Sequence, residues 1–204
     1  MSVATLAVVL AATGCEAPKR KFTTYPPGTL PVPYEVASTP SSCLVASVTM
    51  AANYLLGQHR FTEPGVRVAM KEQLLDETSV ADMRTFLGTQ GLDLIALSGQ
   101  LDGKPTLGLR FWVERKGYPA IAIINKLGDD PKFNHAVVVT GFSADAGSPP
   151  ADIVYYLDPS TREPLQSAGR AEFEKYWALG DHAMLLVVAP PPPDSGAASK
   201  PAGR

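Results

Sequence analysis

Cysteine and histidine are scarce in this chain: 204 residues hold two cysteines, Cys15 and Cys43, and three histidines, His59, His135 and His182. A disulfide framework has almost nothing to build on. A surplus of one charge is missing too. Lys and Arg number 18 against 20 Asp and Glu, and no basic stripe with interleaved aromatics occurs, so nucleic acid is excluded as a partner. The apolar run Val3 to Ala12 is too short to cross a membrane. Internal repeats and nucleotide-binding motifs are absent as well. Asp129-Asp130, two adjacent carboxylates without further ligands, falls short of a calcium loop, so no metal or other cofactor is expected. What remains is 45% apolar against 19% charged residues, enough for one globular core and too apolar for wholesale disorder.

The ends differ from the middle. Residues 1–15 read as a signal peptide, and Ala12-Thr13-Gly14-Cys15 resembles the cleavage box of bacterial lipoproteins, in which the cysteine becomes the lipidated first residue. The protein is then expected in the bacterial cell envelope, held at the membrane through a lipid on Cys15, with secretion as the other possibility. Residues 16–33 are Pro-rich and read as a tether, 34–189 as the folded domain, and 190–204 as a disordered Pro/Ala/Gly tail. If Cys15 carries lipid, Cys43 has no partner for an intramolecular disulfide and is a free thiol in an oxidising compartment.

Periodicity divides the domain. Helices are expected over 44–56, 66–75, 79–87, 107–116 and 172–177, from apolar spacing and from Ser, Pro and Gly at their ends. The first can be capped by Ser41 or Ser42 and is apolar nearly all round, which places it at the domain's centre. Short β-branched runs at 92–97, 120–124, 136–140, 153–157 and 184–188 read as strands. Helices first and a mostly antiparallel sheet second make an α+β layout.

Cys43 sits where a Thr-Pro-Ser-Ser loop enters that central helix. A thiol attacks as thiolate, and the first turn of a helix, rich in unpaired N–H groups, lowers its pKa. A histidine is needed to take and return the proton, and a third polar residue to orient the ring. His135 opens an apolar strand, and the next strand ends in Leu157-Asp158-Pro159. If those strands are antiparallel neighbours, Asp158 lies beside His135. Plainer readings exist for each: a buried structural thiol, a strand-edge histidine, a turn-starting aspartate. His59 and His182 read as surface residues, and Trp112 and Trp177 as core.

At this point the chain resembles the papain-like cysteine peptidases of the C39-like group, whose transporter-linked members remove double-glycine leader peptides. The resemblance spans roughly 32–188. It rests on a cysteine opening the first helix, the strand Asn134-His135-Ala136-Val137-Val138-Val139-Thr140-Gly141-Phe142, a strand closing in Asp158-Pro159-Ser160, and the helix Glu172 to Trp177. It implies a papain-like fold, a peptide or protein substrate, a monomer, and Cys43, His135 and Asp158 as nucleophile, base and orienting residue. The pattern breaks upstream of the cysteine, where such domains carry a glutamine that donates to the oxyanion. Here that place is Ala37, leaving the Cys43 backbone N–H, with Ser38, Ser41 or Ser42, as expected donors. An unreplaced donor would cost about 10²–10³ in turnover. Two other functions therefore stay open: a binding domain on an impaired peptidase scaffold, and a transglutaminase-like thiol acyltransferase using the same three residue types.

Overall fold

From Leu44 to Asn53 every residue of the first helix is buried, as a helix apolar nearly all round demands. This helix, α1 (Cys43–Leu56), is the hub of the computed structural model, which describes residues 25–102, 106–128, 130–144 and 152–189. Gly57 ends it in the left-handed conformation (φ 62°). Its other end departs from expectation. Ser42 makes no capping bond; its hydroxyl donates back to Thr39 O (3.1 Å). The N–H groups of the first turn are therefore left for something else.

Two further helices follow, α2 (Glu63–Glu72) and α3 (Val80–Thr89). α2 starts and stops earlier than its periodicity suggested. Thr62 caps it by accepting from Gly65 N–H, Pro64 is tolerated in the first turn, and Leu74 turns left-handed (φ 58°) just beyond its end. The helix expected over 107–116 winds only over 109–115, and its last five residues, Phe111–Arg115, are π-helical. Its start is pinned elsewhere: Leu109 N–H donates to Gln100 O (2.8 Å), and Gln100 N–H to Leu107 O (2.9 Å), so winding begins late.

The strands are β1 (Asp93–Ser98), β2 (Ala120–Ile124), β3 (His135–Ala144), β4 (Asp152–Leu157), β5 (Leu165–Gly169) and β6 (Ala183–Val188), with α4 (Arg170–Ala178) before the last. They form one sheet in the order β1-β6-β2-β3-β4-β5, with every pairing antiparallel. The final strand thus enters the middle of the sheet. β5 was not expected from the sequence: Leu-Gln-Ser-Ala-Gly lacks β-branched residues, and its pairing with β4 holds it as an edge strand.

Both faces of the sheet are covered. Ala136, Val138, Leu157, Leu185 and Val187 pack with α1, α2 and α3. Val137, Val139, Met184 and Leu186 pack with Phe173 and Trp177 of α4 on the other side. Burial on both faces explains why β3 reads as an unbroken apolar run instead of an alternating one.

Residues 25–33, read from sequence as the end of the tether, lie against this sheet. Leu30 N–H donates to Thr140 O (2.7 Å), and Val32 is fully buried. Thr140 is the extra residue of a bulge in β3, between Val139 and Gly141. Gly141 admits the segment because it has no side chain; a Cβ there would meet Thr29 Cγ2 at 2.6 Å. Gly141→Val is expected to cost about 1–3 kcal/mol by overpacking. A urea unfolding midpoint identical to that of the unmodified chain would show that this contact contributes nothing. The leader, Cys15, the rest of the tether and the tail 190–204 lie outside the described residues.

Candidate active site

Antiparallel pairing of β3 and β4 sets Val138 opposite Leu157. The start of β3 therefore lies beside the end of β4, and the residues at those two points are His135 and Asp158. His135 Nε2 bonds Asp158 Oδ1 at 2.7 Å. With Nε2 used, the other ring nitrogen is left for Cys43, whose thiol is near enough to the ring for His135 to lower its pKa. α1 delivers the thiol from the other side, and Ser47 Oγ ties that helix to β3 by donating to Ala136 O (3.0 Å). Cys43, His135 and Asp158 are thus brought together, with His135 and Asp158 directly hydrogen-bonded and the thiol beside the ring.

The electrostatics follow from these contacts. Burial pushes the Cys43 thiol up, but the bond with His135, the backbone N–H groups of Ala136 and Leu44, and the imidazolium charge outweigh it and hold the pKa below the ordinary value. The uncapped first turn of α1 is what leaves the Leu44 N–H free to face the sulfur. Burial pulls His135 down, and Asp158 and Cys43 more than reverse this, raising it to about 9. Asp158 would be raised by burial, yet His135 and Ser160 hold its carboxyl well below the usual carboxylate range. A lowered thiol beside a raised imidazole favours the thiolate–imidazolium pair.

The thiol opens into a cleft of about 560 Å³. Pro40, Ser41 and Leu44 line it from the α1 side, and Asn134, His135 and Ala136 from β3 and the residue before it. Thr78 and Val80 line it from the start of α3, and Asp181 from the turn before β6.

The hydroxyls expected as oxyanion donors are engaged elsewhere. Ser38 Oγ donates to Glu63 Oε1 (2.9 Å) and accepts from Arg67 Nη1 (2.8 Å). Ser42 is fully buried, and its Oγ accepts from Thr39 N–H (3.2 Å) besides donating to Thr39 O. Neither Ser38 nor Ser42 lines the cleft. Ala37 uses its N–H on Pro159 O (2.9 Å). Ser41 does line the cleft, but its Oγ donates to Glu77 Oε1 (3.1 Å). Of the expected donors, the Cys43 N–H remains, in a helical turn that supplies no acceptor for it.

Three residues join the site that sequence reasoning gave no role. Ser160 donates to Asp158 Oδ1 through both Oγ (2.6 Å) and N–H (3.0 Å). Tyr34 donates to Asp158 O (3.2 Å) and Thr161 O (2.9 Å), pinning the turn; burial and the nearby carboxylate push its phenol up to about 12. Lys126 Nζ lies 3.8 Å from Asp158 Oδ2. Ser160 was signalled by Asp-Pro-Ser, since a hydroxyl two residues after an aspartate commonly closes such a turn. Nothing in the sequence pointed to Tyr34 or Lys126.

The other histidines do not line the cleft, although Asp181 and Ala183, on either side of His182, do. His59 lies between Asn53 (2.9 Å) and Glu35 (3.2 Å) with its side chain 38% exposed, and His182 packs edge-on against the buried Trp177.

Residues 27–176 match the family described as papain-like cysteine protease AvrRpt2. The chain belongs to this family of papain-like cysteine proteases. It is accordingly a cysteine-type peptidase, with the papain-like α+β fold expected from its sequence. Solved structures agree on the fold. One is a double glycine motif protease from an AMS/PCAT transporter in complex with the leader peptide (TM-score 0.55, 20% identity, covering 80% of this chain and 96% of that one). Another is the peptidase domain of Streptococcus ComA, a bi-functional ABC transporter involved in a quorum sensing pathway (TM-score 0.55, 12% identity, 77% and 98%). A third is a C39-like peptidase from Bacillus anthracis (TM-score 0.55, 15% identity, 79% and 96%). At these identities the likeness is one of fold. No match was found among the curated proteins.

Proposed function

We propose that this peptidase cleaves a peptide bond through Cys43, His135 and Asp158, while held at the bacterial cell envelope by a lipid on Cys15. The observation that carries the reading is that Cys43 and His135 line one cleft, with His135 hydrogen-bonded on its far side to Asp158. The Cys43 thiolate attacks the scissile carbonyl carbon, forming a C–S bond and an oxyanion. The Cys43 N–H, at the positive end of α1, is the donor available to that oxyanion. Collapse breaks the C–N bond, and His135 gives its proton to the leaving amine. A water then loses a proton to His135 and attacks the thioester, releasing the acid and restoring the thiolate. Asp158 keeps the ring oriented and stabilises the imidazolium throughout.

The pH dependence follows from two shifts. Activity should rise as Cys43 loses its proton, below the ordinary thiol range, and fall as His135 loses its own near pH 9. A peptide substrate is favoured because a neighbour of the same fold was solved with a leader peptide bound. The test is incubation of the chain with a peptide library, read by mass spectrometry with and without an added primary amine. Free carboxyl products made by the unmodified chain and lost in Cys43→Ala are expected. Amide products in place of acids would make it an acyltransferase, and no product under any condition would leave the scaffold a binding domain. The anchor is tested separately: Cys15→Ser should move the protein from the membrane fraction to the soluble one.

A further inference from the structure

The two oxygens of Asp158 are held by different partners. Oδ1 takes His135 Nε2 and both donors of Ser160. Oδ2 faces the Lys126 ammonium at 3.8 Å. Lys126 is itself held: Nζ donates to Tyr156 Oη (3.0 Å) and lies over the Tyr156 ring, 5.2 Å from its centroid. Tyr156 is buried in β4, so the lysine is anchored to the same strand that carries Asp158. Burial works against its charge, and the bond to Tyr156 with the charge of Asp158 outweighs this, so Lys126 stays a cation.

One carboxylate therefore serves two cations. The His135 imidazolium and the Lys126 ammonium compete for it and repel each other, and each is stabilised less than it would be alone. A general acid needs that restraint. His135 must hold a proton while the thiolate attacks and then release it to the amine, and a ring gripped too tightly by Asp158 releases it poorly.

We infer that Lys126 is a positioning residue of this peptidase: its ammonium holds the Oδ2 side of Asp158 and weakens the carboxylate's grip on the His135 imidazolium. The inference rests on the catalytic reading above. The other groups facing the pair are Tyr34 on the segment before α1, Cys43 on α1, Ser160 in the turn after β4, Tyr156 on β4 and Tyr176 on α4. Only Lys126 brings a permanent positive charge to Asp158 among these described residues.

The test is the titration of His135 in the full chain by ring-nitrogen NMR, with the three histidines assigned through His135→Gln. In Lys126→Arg the His135 pKa should match the unmodified chain. In Lys126→Met it should rise by about half a unit to one unit, a modest shift because the lysine is partly exposed and screened. In Lys126→Glu it should rise further. The alkaline limb of kcat/KM should move with it, while kcat falls and KM holds. His59, which lies outside the cleft lining, reports whether each variant keeps its fold. A flat series, a downward shift, or equal shifts for Met and Glu would overturn the role of Lys126. If His135 in the unmodified chain titrates in the ordinary histidine range, the ion-pair reading fails first and this role falls with it. A raised His135 with a flat series sinks the inference alone.

Discussion

His135→Ala should abolish detectable turnover and return Cys43 to ordinary thiol behaviour, without unfolding the domain. The imidazole supplies two things at once. With the backbone N–H groups of Ala136 and Leu44 it outweighs the burial of the thiol, and in the proposed mechanism it carries the proton for amine departure. Proton transfer alone contributes about 10²–10⁴, and the loss of thiolate multiplies that. The ring is only part-buried, with its side chain 23% exposed, so truncation leaves no sealed void in the core. Circular dichroism and peptide hydrolysis, measured together, check this. An unchanged rate in a folded His135→Ala variant would remove His135 from the mechanism.

Asp158→Asn tests the third residue by a different route. The side chain keeps its shape, but an amide has one carbonyl acceptor and one donor group where the carboxylate had two acceptors. Nε2 of His135 and both donors of Ser160 converge on Oδ1. If the amide oxygen takes that place, the hydrogen bonds survive without the charge; if the nitrogen takes it, three donors meet a fourth. In either case the imidazolium loses its counter-charge, and the His135 pKa should fall from about 9 toward its ordinary value. Turnover should drop by about 10²–10⁴, mostly in kcat. The alkaline limb should move to lower pH, opposite to the direction expected for Lys126→Met. A folded Asp158→Asn variant with an unmoved limb would contradict the assigned role.

How far the site could be read beforehand depended on distance along the chain. Cys43 and its helix are local features: a capping-type loop, an apolar stretch, a closing glycine. His135 and Asp158 needed one more step, the assumption that consecutive strands pair antiparallel, which β3 and β4 do. The oxyanion side could not be read that way. The direction of the Ser38 hydroxyl is decided by Glu63 and Arg67, on a helix that no local pattern relates to residue 38. Ser42 looked like a helix cap and instead turns back to Thr39, because the loop closes on itself before the helix begins. β5 was invisible because its residues have no strand preference and are recruited by the free edge of β4. Lys126 was invisible for the opposite reason. A lysine in a polar loop looks like solvent-facing charge until the fold brings Tyr156 and Asp158 beside it.

The defect suspected at Ala37 is narrowed by the same geometry. With Ser38, Ser41 and Ser42 engaged elsewhere, oxyanion stabilisation among the expected donors rests on the Cys43 N–H and the field of α1. That predicts a peptidase whose nucleophile is fully prepared and whose transition-state support is thin.

The central claim is that Cys43 is held as a thiolate by His135. The most direct measurement is the rate at which iodoacetamide modifies the Cys43 peptide as a function of pH, followed by mass spectrometry. The expected profile has its midpoint clearly below the ordinary cysteine value of about 8.5, and His135→Ala should move it back up. A midpoint at or above the ordinary value, unchanged in His135→Ala, would contradict the account.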